Sequence, residues 1–142
     1  MDYGTILEQW ARVQPEKTCL VEDGQVLSYG EMARQARDYG EKLKQLGIPR
    51  QTVLIIRPRP AAQLEAFLGA ELAGWVPVLG HPDLSPEAAD ELARVRQIGW
   101  IDDGTLRPGC PEAPVPAREL CMGVLSSGST GLPKLMFRTY GS

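Results

Sequence analysis

The residues with the clearest chemical potential lie close together near the end of the sequence. Ser126 to Lys134 read Ser-Ser-Gly-Ser-Thr-Gly-Leu-Pro-Lys, which places two glycines, four hydroxyl groups and a lysine within nine residues. Glycine lets the backbone approach phosphate oxygens with its N–H groups turned inward, hydroxyl groups donate hydrogen bonds, and lysine adds a positive charge. The segment is therefore predicted to be a phosphate-binding loop. The alternative is a flexible turn that carries a solvated lysine.

The spacing of this loop differs from that of the P-loop nucleoside triphosphatases. Their G-x-x-x-x-G-K-[ST] pattern places the lysine directly after a glycine and a magnesium-binding hydroxyl directly after the lysine. Here Gly128 and Gly131 are too close together, Pro133 precedes Lys134, and Leu135 follows it. Ordinary P-loop chemistry is therefore disfavoured.

Composition restricts the class of protein further. The chain has 142 residues with 43% hydrophobic and 23% charged side chains, as expected for one α/β unit spanning residues 1–142. The net charge of −3, with scattered basic residues, disfavours nucleic-acid binding. Three cysteines without a C-x-x-C pair predict neither a disulfide framework nor a metal site. No signal peptide or membrane span is recognised, so a cytoplasmic location is expected.

Hydrophobic spacing in the first third predicts a helix, a hairpin and a second helix. The first helix follows Thr5 and ends before Pro15. Two antiparallel strands, at 18–22 and 25–28, flank an Asp-Gly turn. The sequence from Ser28 to Glu31 is a capping box, which predicts that the second helix begins there and ends at Gly47.

The rest of the chain predicts alternating strands and helices. Apolar runs at 52–56, 75–79, 98–101 and 120–125 are typical of buried strands. Helices are expected to begin at Pro60 and Pro86, the latter with Ala88, Leu92 and Val95 facing inward. The proline-rich stretch from 105 to 117 is predicted to be an irregular loop. The fold class is thus α/β, with a largely parallel sheet flanked by helices and ligands bound beyond the carboxyl ends of its strands.

The predicted loop resembles the phosphate-binding loop of the adenylate-forming (AMP-binding) superfamily, whose usual form is T/S-S-G-S/T-T-G-x-P-K. Two upstream stretches match the same superfamily in order. Residues 27–32 (LSYGEM) are similar to its L-T/S-Y-x-E-L signature, and residues 72–78 (LAGWVPV) are similar to its L-K-A-G-x-x-x-V-P segment. Residues 14–17 also resemble the P-[DE]-K that precedes its first strand, whereas residues 79–82 depart from its V-P-[LI]-[DN].

The resemblance implies a set of nucleotide-binding residues, with no catalytic or metal-ligating residue in this chain. They are Ser127, Gly128, Ser129, Thr130, Gly131 and Lys134. Ser129 and Thr130 would hold phosphate oxygens of ATP and Lys134 would offset their charge. Gly128 and Gly131 would keep the approach open. His81, the single histidine, is expected to lie on a loop surface.

The resemblance also implies an activity for the parent protein, of which this chain would be the N-terminal part of the large domain. A family member uses ATP and Mg2+ to convert a small carboxylic acid, acyl or aryl, into an acyl-adenylate and passes it to the thiol of CoA or a carrier protein. Residues 134–139 are similar to the K-L-I-P-R-T-H segment of aryl-acid ligases, with Tyr140 in the place of its histidine, and this similarity favours an aryl acid.

Two expectations follow from the extent of the resemblance. The family motifs for adenine, ribose and the adenylation lysine would lie beyond Ser142, so this chain alone is expected to form no acyl-adenylate. An unpaired sheet edge would also favour self-association. The alternatives are a non-catalytic nucleotide- or anion-binding module and a structural fragment that retains the loop.

Overall fold

The computed structural model of the chain describes residues 2–56, 59–81, 83–102, 105–107, 120–126 and 133–139. Its helices are α1 (Tyr3–Val13), α2 (Tyr29–Gln45), α3 (Pro60–Leu72) and α4 (Pro86–Arg96). Its strands are β1 (Thr18–Glu22), β2 (Gln25–Ser28), β3 (Thr52–Ile56), β4 (Val76–Leu79), β5 (Gly99–Asp102), β6 (Thr105–Arg107), β7 (Leu120–Ser126) and β8 (Lys134–Thr139).

The main sheet has six strands in the order β6-β5-β3-β4-β7-β8. The four inner strands are parallel, with β3 pairing β4 and β5, and β4 pairing β7. The two outer strands, β6 and β8, run antiparallel to their neighbours. The predicted α/β class with a largely parallel sheet flanked by helices is therefore confirmed.

Both faces of the central strand are buried, which explains its continuous apolar sequence. Val53 and Ile55 of β3 belong to a core cluster with residues of α1, α2 and α3. Leu54 belongs to a second cluster with Leu92 and other residues of α4. Successive side chains of a strand point to opposite faces, so the helices cover the sheet from both sides.

Two glycines allow α2 and α3 to pack closely. A Cβ atom on Gly40 would lie 2.8 Å from the carbonyl oxygen of Gly69, and one on Gly69 would lie 2.8 Å from the carbonyl oxygen of Ala36. Neither distance is compatible with an unshifted alanine. The absence of side chains at this crossing thus sets the separation of the two helices.

Side chains cap the helices where the sequence supplies polar groups. The capping box is confirmed, since Glu31 N–H donates to the Ser28 hydroxyl at 3.1 Å and Ser28 N–H donates to the Glu31 carboxylate at 3.3 Å. Asp2 caps α1 by accepting from the N–H of Thr5 at 2.7 Å, so this helix begins earlier than predicted. Side-chain caps satisfy N–H groups that the first turn of a helix leaves unpaired.

The predicted hairpin is confirmed at the turn between β1 and β2. Asp23 and Gly24 have φ values of 50° and 78°, as in the turns that join two strands through two residues. The strands pair antiparallel, with Val21 opposite Val26. The Glu22 carboxylate at the end of β1 accepts from the N–H of Ala61 at 3.1 Å, which ties the hairpin to the first turn of α3.

Two predictions of local structure were wrong, and one strand was not predicted. The inward face of α4 contains Ala89, Leu92 and Ala93, whereas Val95 is 48% exposed. Part of the stretch predicted as an irregular loop forms β6, which pairs with β5. Residues 134–139 form a strand that the sequence did not predict.

Within the described part of the chain, no helix combines the length and the apolar character needed to cross a membrane.

Candidate functional site

The predicted phosphate loop lies between two adjacent antiparallel strands. Strand β7 ends at Ser126 and β8 begins at Lys134, so the intervening residues connect the strands of a hairpin. Five of the six predicted binding residues fall outside the described residues. These are Ser127, Gly128, Ser129, Thr130 and Gly131. The sixth, Lys134, is described.

Ser126 and Lys134 are direct cross-strand partners at the base of this loop. They form the last pair of the β7–β8 register, after Leu125 opposite Leu135. Lys134 is exposed, whereas Ser126 is partly buried. The register therefore fixes the backbone of the lysine at the carboxyl end of β7, the side of a parallel sheet on which ligands bind.

A cavity of about 450 Å³ lies beside the base of the loop. It is lined by residues that follow β4, residues of α3 and both ends of the hairpin connection, namely Gln63, Leu79, Gly80, His81, Leu84, Leu125, Ser126 and Pro133. The lining combines apolar side chains with a few polar groups, as is usual for small-molecule pockets.

Hydrogen bonds hold the part of the cavity wall that is formed by Gln63 and Gly80. The Gln63 side-chain amide donates to the carbonyl oxygens of Ile55 and Gly80, each at 3.2 Å. The N–H of Gly80 donates to the Ile55 carbonyl at 2.9 Å. A Cβ atom on Gly80 would lie 2.7 Å from Cγ1 of Ile56, so a side chain at this position would require Ile56 to move. The Gln63 side chain thus adds to the backbone pairing that joins the ends of β3 and β4.

His81 borders the cavity from the loop after β4. Its Nδ1 accepts from the N–H of Asp83 at 3.1 Å, and its side chain is 73% exposed. This agrees with the predicted position on a loop surface.

Arg96, in the last turn of α4, contacts the end of the predicted loop. Its Nε and Nη2 both donate to the carbonyl oxygen of Pro133, at 3.2 and 3.0 Å. Pro133 directly precedes Lys134. No sequence pattern predicts this contact, because the two partners are 37 positions apart and no local pattern links them.

The most perturbed carboxyl group among the described residues lies away from this edge of the sheet. Glu71 of α3 is 4% exposed, and one of its oxygens accepts from the N–H of Gly4 at 3.1 Å. Burial, and next the negative charge of Asp2, raise the pKa of Glu71 to about 8, although hydrogen bonds from Gly4 and Tyr3 and the amino-terminal charge oppose the shift. Its carboxyl group thus holds its proton above the usual range.

The described side chains do not assemble a metal cage. No group of three or more His, Cys, Asp or Glu side chains lies close enough to hold an ion within the described ranges.

One protein-family model matches most of the first two thirds of the chain. A family model described as "AMP-binding enzyme" matches residues 7–101. The match covers the hairpin, β3, β4 and most of the helices, and it ends before the predicted phosphate loop.

Curated relatives match nearly the whole chain. A feruloyl-CoA synthase from Amycolatopsis sp is 29% identical over 159 aligned positions, which cover 93% of this chain and 32% of that protein. Tyrocidine synthase 3 from Brevibacillus parabrevis is 28% identical, with 91% of this chain and 2% of that protein covered. The chain therefore spans about a third of the length of the feruloyl-CoA synthase.

Solved structures share the fold at lower identity. The anthranilate CoA ligase AuaEII in complex with anthranoyl-AMP superposes with a TM-score of 0.75 at 20% identity, covering 99% of this chain and 34% of that one. The N-terminal subdomain of Klebsiella oxytoca NpsA, in complex with 3-hydroxybenzoyl-AMSN, superposes with a TM-score of 0.77 at 18% identity, covering 97% and 41%.

Proposed function

The chain belongs to the AMP-binding enzyme family, and from this premise we propose that it forms the phosphate-binding part of an ATP-dependent, AMP-forming acid–thiol ligase. One observation carries the proposal beyond membership of the family. The register of β7 and β8 sets Lys134 opposite Ser126, so both ends of the glycine- and hydroxyl-rich connection meet at the carboxyl edge of the sheet. We assign phosphate binding to Ser127, Gly128, Ser129, Thr130, Gly131 and Lys134.

In the proposed first step, a carboxylate oxygen of the acid attacks the α-phosphorus of ATP. A new P–O bond forms, the bond between the α-phosphorus and the bridging oxygen breaks, and pyrophosphate leaves with the electron pair of that bond. The product is an acyl-adenylate. The ammonium group of Lys134 and the N–H and hydroxyl groups of the loop would stabilise negative charge on the departing phosphates, which is the main means of catalysing such transfers.

In the proposed second step, the sulfur of a thiol attacks the acyl carbon. A thioester forms, AMP leaves with the electron pair of the broken C–O bond, and the thiol proton passes to solvent or a base. The acceptor would be CoA or the thiol of a carrier protein. Mg2+, bound to the phosphates, would neutralise part of their charge when present.

Three of the four similar proteins described above have names that support an aromatic substrate. Feruloyl, anthranoyl and 3-hydroxybenzoyl groups, named for one relative and two structural neighbours, are all acyl groups of aromatic acids. The similarity of residues 134–139 to the segment found in aryl-acid ligases points the same way. We therefore propose an aryl carboxylic acid as the substrate class, and a cytoplasmic location, where ATP and CoA are supplied.

Exchange of labelled pyrophosphate into ATP tests the proposal. The protein expressed from its gene should catalyse exchange that depends on an added aryl acid, such as a hydroxybenzoate or a hydroxycinnamate. Exchange should be slower with an alkyl acid of similar size. If none of the acids supports exchange but the protein still binds ATP, the result would favour a non-catalytic nucleotide-binding module. Loss of ATP binding as well would favour a structural fragment.

A second measurement separates binding from chemistry. A polypeptide limited to these 142 residues spans only about a third of the feruloyl-CoA synthase that it resembles. We expect it to bind inorganic triphosphate without catalysing exchange. Exchange above a protein-free blank by this polypeptide would show that residues 1–142 suffice for adenylation.

A further inference from the structure

Arg96 makes an unusual connection between a helix and the end of the proposed phosphate loop. The carbonyl oxygen of Pro133 accepts two hydrogen bonds from one guanidinium group, through Nε at 3.2 Å and Nη2 at 3.0 Å. A guanidinium group holds its donors in a rigid planar fork, so a paired contact fixes direction as well as distance. Proline has no N–H, so this carbonyl is the backbone group through which residue 133 can be held by hydrogen bonding.

The arginine is presented by a rigid part of the fold. It lies in the last turn of α4, whose Leu92 and Ala93 are fully buried against the sheet. Leu125 and Leu135, which precede and follow the ends of the loop, are partly buried and pack against the same core cluster. Helix α4 and the hairpin thus pack on one cluster, and Arg96 joins the helix directly to the end of the loop.

The position of this contact in the chain gives it a consequence for the lysine. Pro133 is bonded directly to Lys134, and the backbone of Lys134 is paired with Ser126. Pairing with Ser126 holds the backbone of Lys134, and the guanidinium of Arg96 holds the backbone of Pro133. An anchored backbone reduces the conformations that the lysine must give up when it binds an anion.

We infer that Arg96 is a positioning residue for phosphate binding, because its paired hydrogen bonds to Pro133 orient Lys134 toward the ligand. The inference rests on the proposed function and adds to it a residue outside the loop. Arg96 lies before the loop in sequence, on the helix that covers one face of the sheet. It acts through the backbone of its neighbour rather than through contact with substrate.

A purely structural role makes a different prediction. An arginine in the last turn of a helix also interacts favourably with the helix dipole, whatever the loop binds. If that were its whole effect, replacement would lower the melting temperature and leave anion affinity unchanged. Affinity and stability must therefore be measured on the same variants.

The experiment measures binding of inorganic triphosphate to the 142-residue chain by calorimetry. Arg96→Ala should weaken binding by about tenfold, the effect expected when hydrogen bonds from a charged donor are lost. Arg96→Lys keeps the charge but not the fork, so it should also bind more weakly than the wild type. Arg94→Ala is the matched control, because Arg94 is an exposed cation on the same helix, and it should leave affinity unchanged.

A double-variant cycle tests whether the effect passes through the lysine. In a Lys134→Ala background, Arg96→Ala should cause little further loss, because residues that act as a unit are not additive. Independent, multiplying losses in the double variant would overturn the inference, as would wild-type affinity in Arg96→Ala or, if that variant fails to fold, in Arg96→Lys. A wild-type chain that does not bind triphosphate at all would instead overturn the proposed function, and the inference with it.

Discussion

Glu71 on α3 accepts a hydrogen bond from the backbone N–H of Gly4 on α1, at 3.1 Å, and so connects the first turn of one helix to the last turn of another. Its second oxygen is buried with no hydrogen-bond partner among the described residues. A carboxylate gains from a helix N-terminus but loses its hydration when buried. Here burial dominates, since the pKa of Glu71 rises to about 8.

The first prediction concerns the pH dependence of stability. The ordinary pKa of 4.5 applies to the unfolded chain, whereas the folded chain keeps the Glu71 proton until about pH 8. The folded state therefore binds more protons than the unfolded state between these pH values. The contribution of Glu71 to the free energy of unfolding is complete below about pH 4.5, falls as pH rises, and levels off above about pH 8. The slope should reach at most about 1.4 kcal/mol per pH unit.

Glu71→Gln isolates this contribution, because the amide stays neutral and keeps an oxygen that can accept from Gly4. Urea unfolding should show the variant gaining stability over the wild type as pH rises from about 5 to 8. Glu91→Gln, an equal change of charge at an exposed position on α4, serves as the control and should show no such trend. Parallel stability curves for wild type and Glu71→Gln would mean that the buried carboxyl titrates normally.

The second prediction concerns the crossing of α2 and α3. Gly69→Ala should destabilise the chain by about 1–3 kcal/mol, because the new methyl group would lie 2.8 Å from the carbonyl oxygen of Ala36. Gly40→Ala should do the same, and the double variant should cost less than the sum, since one shift of the helices relieves both contacts. Arg37→Ala, exposed on α2, is the control for thermal unfolding. Full additivity would indicate two independent sites.

The third prediction concerns Lys134 in the protein expressed from its gene. Lys134→Ala should raise the barrier for release of pyrophosphate by on the order of 2–4 kcal/mol, as when one preorganised electrostatic contact is lost. The melting temperature should hardly change, because the lysine is exposed. Pyrophosphate exchange and thermal unfolding measured together decide the matter. An unchanged exchange rate with a large fall in melting temperature would identify Lys134 as a structural residue.

The fourth prediction concerns self-association. Strand β8 is the outermost strand at its end of the described sheet, and Met136 and Phe137 on it are 49% and 43% exposed. Edge strands offer unpaired backbone groups to another chain. We expect the 142-residue chain to dimerise or form larger species with rising concentration in light scattering, and Phe137→Lys to reduce this. A monomer at all concentrations would argue against pairing through this edge.

Local sequence patterns predicted the elements that are stabilised locally. The capping box at Ser28 and the Asp-Gly turn have geometry that is determined within four residues, and both were found as predicted. The prediction of the buried face of α4 was wrong because Ala88 and Val95 fit the helical period as well as Ala89 and Ala93 do. Only the position of the sheet decides which side is buried.

The elements that were missed depend on partners distant in sequence. The segment from Lys134 to Thr139 lacks a clear alternation of buried and exposed positions, and it becomes a strand by pairing with β7. The contact between Arg96 and Pro133 likewise requires α4 and the hairpin to be placed first. The sequence therefore predicted the composition of the site, whereas the support of the site comes from tertiary structure.

The attachment of the β7–β8 hairpin to the sheet has a consequence for local unfolding. Among the described strands, only β4 joins this hairpin to the rest of the sheet. The hairpin could separate as a cooperative unit while β5, β3 and β4 remain paired, so its amide hydrogens should exchange with solvent faster than those of the central strands. A ligand that bridges the two ends of the loop would bind only the closed form and slow this exchange. The part of the chain that we propose holds phosphate is thus also the part whose opening the ligand would suppress.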